Sequence, residues 1–298
     1  MQIKTEALLP VLSDQPEETS ERSGTRRRAL RRFMRNRLAV LGAGFIVLLT
    51  LTAVFGPAIS PYNVAIQDLT QGLQPPSGAH LLGTDEYGRD VLSRLIVGSR
   101  VSLSVGVLGV MVLLVVGVTV GIVAGYSRRL DGLLMRTNDM FMSIPDFFFL
   151  LLLVALFGTG PEKVILFIGL TSWMSTARLI RGQILRLREQ EFITAARGLG
   201  GTPIWIVRTH LLANVLDVIM VQATLTVSLV ILLESSLSYL GLGVQPPTPS
   251  WGNMLSEGRN FMDQAWWLTT FPGLAIFLTV VAFNFVGDGI RDALDVRL

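Results

Sequence analysis

Long apolar runs alternate along this chain with shorter polar stretches in which arginine is frequent. Crossing the roughly 30 Å hydrocarbon core of a bilayer takes about 20 mostly apolar residues, because a helix rises about 1.5 Å per residue. Six segments approach that length: 38–59, 101–125, 133–157, 164–185, 215–240 and 266–286. The run 101–125 holds no charge, whereas 133–157 includes Arg136, Asp139 and Asp146, and 164–185 includes Arg178 and Arg181. A lipid-facing charge at mid-membrane is expensive, so these five are expected near span ends or against other helices. The pattern predicts an all-α membrane protein with about six transmembrane helices.

The connections fill in the organisation. Residues 1–37 are polar and then basic, with Arg26, Arg27, Arg28, Arg31, Arg32, Arg35 and Arg37; the cluster suits orientation and anionic-lipid contact. The apolar run 38–59 exceeds the 7–15 residues of a signal-peptide core and reads as a retained first helix. Residues 60–100 and a second stretch, about 241–265, carry Pro61, Pro75, Pro76, Pro246, Pro247 and Pro249. Proline removes a donor and stops helices, so both are expected to be loops outside the membrane, and 101–298 a core of five helices. With the N-terminus in the cytoplasm, only Arg89, Arg94, Arg100, Lys163 and Arg259 of the 25 Lys and Arg fall outside, as the positive-inside rule requires. An even number of spans returns the C-terminus to the cytoplasm.

Composition narrows the chemistry. Half the residues are hydrophobic and 16% are charged. The net positive charge comes from arginines in loops and tails, which report orientation and do not point to nucleic acid. There is no cysteine, which excludes disulfides, thiolate metal sites and thiol nucleophiles. A phosphate-binding loop needs Gly-Lys-Ser/Thr, but Lys4 follows Ile3 and Lys163 follows Glu162, and these are the only lysines. Any ATP and its magnesium therefore belong to another chain, and no cofactor or metal is expected on this one. His80 and His210 fall on opposite sides of the membrane and cannot share a zinc ion.

Rival functions fare poorly. An aspartyl intramembrane protease would want Gly-x-Gly-Asp, and Phe285-Val286-Gly287-Asp288 lacks the first glycine. A serine type would want serine and histidine within reach in the membrane, and both histidines are in loops. A simple channel would show a filter-like backbone motif or a ring of charges. Two features within spans remain open. Asp139 lies one turn after Arg136, a spacing that allows an ion pair, serving as a gate, a helix lock or plain neutralisation. Glu234, toward the outer end of its span, either contacts substrate or pairs with a serine such as Ser235.

The polar connection before the fifth span is the most structured. In Glu191-Phe192-Ile193-Thr194-Ala195-Ala196-Arg197-Gly198-Leu199, the positions Phe192, Ala195, Ala196 and Leu199 recur at helical spacing and form a small, apolar stripe. Gly200-Gly201 ends that helix in the manner of a glycine C-cap. Thr202-Pro203 restarts one, with threonine at the cap and proline at the first position. The stripe either packs on its own bundle or docks a cytoplasmic partner.

This segment resembles the EAA loop of ATP-binding-cassette importer permeases, E-A-A-x3-G-x9-I-x-L-P. Thr194-Ala195-Ala196 stands in the first three places, Gly200 at the glycine and Leu212 at the leucine. His210 replaces the usual isoleucine and Ala213 the usual proline. His80-Leu81-Leu82-Gly83-Thr84-Asp85, Gly88-Arg89-Asp90 and Ser93-Arg94 resemble the first outside loop of dipeptide and oligopeptide importer permeases. Leu237–Gly243 with Gln245–Gly252 resembles their last outside loop. The tail Gly287-Asp288-Gly289-Ile290-Arg291-Asp292-Ala293-Leu294-Asp295 resembles the C-type subunit, with Val296 where proline is common. The similarity runs from about residue 31 to the end.

It implies a type I importer permease in a bacterial inner membrane. Such a permease pairs with a homologous second permease, two cytoplasmic ATPases and an extracytoplasmic substrate-binding protein. The substrate would be a dipeptide or oligopeptide, with nickel complexes or glutathione as alternatives. The coupling segment 191–213, with Glu191, Thr194, Ala195, Ala196, Gly198, Gly200, His210 and Leu212, would receive an ATPase. This chain would transmit motion and would not itself be an enzyme.

Overall fold

A computed structural model describes residues 28–294. A short helix α1 (28–35) leads into α2 (Arg37–Ile59), capped by the Asn36 side chain, which accepts from the Ala39 N–H at 3.2 Å. A folded loop then reaches α3 (Val91–Tyr126), whose 36 residues extend for about 54 Å. That exceeds the hydrocarbon thickness, so part of α3 stands clear of the membrane. Residues 91–100, expected within the 60–100 loop, are helix. Asp90 caps it, accepting from the Ser93 N–H at 2.8 Å, and Arg94 is neutralised by Asp85 and by Glu257, far along the chain.

The third and fourth expected spans are broken. The helices α4 (Arg128–Met142) and α5 (Asp146–Phe157) meet at 82°. Pro145 explains the corner, since a proline disfavours helical geometry in the residue before it. The helices α6 (Pro161–Thr171) and α7 (Trp173–Leu187) meet at 41° around Ser172. Next come α8 (Glu191–Gly198), the single turn α9 (Pro203–Ile206), a π-helical turn (Val207–Leu211) and α10 (Leu212–Tyr239). With Ala213 where proline is usual, helix runs on from Pro203 to Tyr239. Last are α11 (Trp251–Gly258) and α12 (Trp267–Leu294). Among the described residues, four helical stretches are long and apolar enough to cross a membrane, and six do so if each bent pair is one span.

The central helix α3 packs against α2, α6, α7 and α10. Three glycines set its approach to α7: a Cβ on Gly117 would stand 2.8 Å from the Trp173 carbonyl, on Gly121 2.7 Å from the Ala177 carbonyl, and on Gly125 2.7 Å from Ile184 Cβ. Small residues at this spacing let membrane helices meet backbone to backbone. The first turn of α2, the last turns of α3, α7 and α12 and the start of α10 gather at one side, together with α8. The 60–90 loop and α11 lie at the other. Arg89, Arg94, Arg100, Lys163 and Arg259 belong to this second side.

Candidate functional site

At the α8 side, Ile193 and Ala196 are buried in a cluster with Ile180 and Ile184 of α7 and Ile206, Leu211 and Val215 of the following helix. That cluster seats α8 by one face. On the other face Glu191, Phe192, Thr194, Ala195 and Gly198 are exposed, and Leu199 is 89% exposed. The expected stripe is thus divided: Ala196 turns inward, and Phe192, Ala195 and Leu199 remain outside. Gly200 adopts φ +84°, the left-handed conformation that suits glycine, and its N–H donates to Arg197 O at 3.0 Å. Thr202 Oγ1 then accepts from the Trp205 N–H at 3.3 Å, capping the next turn.

Beyond the bend, Ile204 and Trp205 are exposed beside α8. The His210 ring stands edge-on to Trp205 at 4.9 Å and 6.1 Å from Phe192, with Nε2 buried and lacking a hydrogen-bond partner. Leu212 packs, half-buried, on the cluster below. The result is an exposed apolar ridge, from Phe192 through Leu199 to Trp205, on a base fixed by buried aliphatic side chains.

Charges behind this ridge are arranged differently from the sequence expectation. Asp139 pairs with Arg178 of α7 at 2.5 Å, and not with Arg136. Asp131 of α4 holds Arg181 by two bonds, 2.5 and 2.7 Å. Arg188 donates to Gly125 O at 2.9 Å. The long-range partners win because the 82° corner lays α4 along α7, which a straight third span would not do. Glu234 is fully buried: it accepts from Ser238 Oγ at 2.8 Å, and Ser235 and Ser102 hydroxyls stand at 3.4 and 3.5 Å. Its carboxylate ties α10 to α3.

The opposite side holds a constellation whose residues stand in the sequence motifs but whose partners are remote. Asp85 accepts from the Arg89 and Tyr87 N–H groups at 2.9 Å each, from Arg89 Nε at 2.6 Å and from Arg94. Glu257 of α11 receives Arg89 at 3.1 Å and Arg94 at 2.8 Å. Both arginines are buried. His80 bridges Asp90 at 3.0 Å and Gln71 Oε1 at 3.1 Å. Trp267 donates its indole N–H to Thr84 O at 3.1 Å. Gly83, at φ +80°, leaves room for that indole.

The 60–90 loop is thereby clamped to α3, α11 and α12. Asp85, Glu86 and Glu257 oxygens lie within 4.8 Å of one another, but the guanidinium groups already supply the positive charge there. Burial, and behind it the negative charges of Asp85 and Glu257, push the Glu86 carboxyl above its ordinary range. His80 and His210 sit on opposite sides, as their positions in the sequence suggested.

Residues 117–298 match the family described as "Binding-protein-dependent transport system inner membrane component", and residues 25–76 match the N-terminal transmembrane domain of oligopeptide transport permease C. The chain belongs to this inner-membrane component family. The permease is 42% identical to a dipeptide transport system permease of Bacillus subtilis, over 91% of this chain and 85% of that one. It is 37% identical to a dipeptide permease of Alkalihalophilus pseudofirmus over 99% of each chain. A glutathione transport system permease of Pectobacterium atrosepticum is 38% identical over 98% of this chain and 96% of its own. In fold, the permease is similar to a chain of the MetNI methionine ABC transporter in an inward-facing conformation. The TM-score is 0.56 with 19% identity, covering 66% of this chain and 94% of that one. It therefore has the type I importer permease fold.

Proposed function

We propose that this chain is one of two homologous permease subunits of an ATP-driven importer of dipeptides or oligopeptides, and that an ATPase subunit docks on α8. The ridge of Phe192, Leu199 and Trp205 carries the reading. An exposed apolar patch of this kind marks a contact site, and its buried base makes it a rigid handle between α7 and α10. A push on α8 is then delivered to both helices, a rigid-body route to switching the bundle between two states. Membership of the family and the names of the relatives support the substrate class, and glutathione, itself a small peptide, is the second reading.

The α8 side is the cytoplasmic one by its excess of arginine. ATP and magnesium are held by the partner ATPases, and a binding protein delivers peptide at the side of the 60–90 loop. The test is a complex reconstituted with its second permease, ATPases and binding protein, in which Leu199→Asp is compared with the parent. Peptide uptake and peptide-stimulated ATP hydrolysis are expected to fall together while membrane insertion is kept. Undiminished stimulated hydrolysis would remove the docking role.

A further inference from the structure

A cleft of about 660 Å³ opens between the α8-side ends of α7, α10 and α12, within the size range of small-molecule sites. Gln183 and Arg186 of α7, Asp217 and Gln222 of α10 and Arg291 of α12 converge on it. Among the described residues, Arg186, Arg291 and Asp217 have no hydrogen-bond or ion-pair partner. Arg178 and Arg181 of α7 and Arg188 just after it all do. Arg186, Arg291 and Asp217 are exposed to water at these helix ends, and ionisable side chains that face a water-filled cavity between membrane helices mark substrate pathways. Val221 and Leu225 supply an apolar wall between the polar groups.

We propose that this cleft holds the travelling peptide in the inward-open state, its carboxylate against Arg186 and Arg291, its ammonium against Asp217, and its amides within reach of Gln183 and Gln222. The inference rests on the peptide-importer reading and extends it to particular residues. Two features favour a zwitterion over an anionic lipid headgroup. An acid lines the same cleft as the arginines, and two of the three walls are the helices joined by α8, so motion delivered there acts on the cleft against α12.

The chain has no cysteine, so Gln222→Cys introduces its single thiol. In the reconstituted complex, with the parent complex as blank, a membrane-impermeant maleimide is applied from the α8 side without ATP. Tri-alanine is expected to slow labelling by up to about fivefold at about four times its Kd. Tri-alanine acetylated at one end and amidated at the other should not slow it, and Arg186→Gln or Asp217→Asn should abolish the protection. Equal protection by the capped peptide, protection by cardiolipin in the vesicles instead of peptide, or no protection at all would overturn the proposal. ATP-driven tri-alanine uptake by the parent complex separates the two levels. Uptake without protection rejects the cleft alone, and absence of uptake across a panel of di- and oligopeptides rejects the importer reading. Size-exclusion profiles confirm that each variant complex assembles before it is scored.

Discussion

Replacing Asp85 by alanine strikes the clamp on the side away from α8. The carboxylate holds four donors, two backbone N–H groups and two buried guanidinium groups. Breaking a buried ion pair by deleting one partner costs about 3–5 kcal/mol, because the other charge is left uncompensated. Here Glu257 remains between Arg89 and Arg94, so one excess positive charge survives and the lower end, about 3 kcal/mol, is expected. For chains above 150 residues each kcal/mol lowers Tm by about 2–4 °C, giving a drop of about 6–12 °C. Tryptophan fluorescence of the detergent-solubilised protein reads it directly, since Trp267 donates to Thr84, the residue before Asp85.

The double variant Asp85→Ala, Arg94→Ala restores charge balance and should recover part of the loss, which a purely steric effect would not. Asp263→Ala, at an exposed position on the same side, serves as control and should move Tm by no more than about 2 °C. A single Asp85→Ala variant melting within 2 °C of the parent would refute the charge argument.

Glu86, with a raised folded-state carboxyl and an unpartnered Oε2, binds its proton more tightly folded than unfolded. Stability should therefore fall as pH rises through the window above the ordinary value of 4.5. Glu86→Gln should flatten Tm against pH there and raise Tm at neutral pH, and an unchanged slope would count against the assignment. Gly121→Val places atoms where Ala177 O and Ile180 Cβ stand 2.7 and 2.8 Å from a Cβ, so α3 and α7 must separate. The overpacking cost is about 1–3 kcal/mol, visible as a lower melting temperature, whereas the same change at Gly132, with nothing within 4 Å, should be silent. Glu234→Ala leaves the Ser102, Ser235 and Ser238 hydroxyls without their shared acceptor and should destabilise by about 2 kcal/mol; a Tm equal to the parent's would show that the serines find other acceptors.

Local chemistry was readable along the chain and remote chemistry was not. Gly200, Thr202 and Pro203 act through backbone preferences of their immediate neighbours, so the bend after α8 could be placed in advance. Residues 101–125, lacking any charge, could be read as a span. Arg94 and Arg100 hid the ten residues of helix before it. The acid that neutralises Arg94 besides Asp85 is Glu257, and its bond to the neighbouring Arg89 already spans 168 residues. Asp139 shows the same difficulty, since its partner lies 39 residues away and not one helical turn away at Arg136. Hydrophobic counting across 133–157 passed over Pro145, which interrupts the helix without interrupting the apolar run.

The inward turn of Ala196 belongs to the same class of difficulty, and it bears on function. Periodicity places Phe192, Ala195, Ala196 and Leu199 on one arc, but the base beneath α8 is built by Ile180, Ile184, Ile206 and Val215. These draw Ile193 inward, and Ala196, at the edge of the arc nearest Ile193, goes with it. The helix α7 supplies two of those residues, pairs with α4 through Arg178 and Arg181, and lines the cleft with Gln183 and Arg186. On the proposed docking, a displacement at α8 reaches α7 and α10 through their shared cluster, carries α3 with α7 because the glycine-mediated contact leaves no space for sliding, and must appear in the cleft where α7 and α10 face α12.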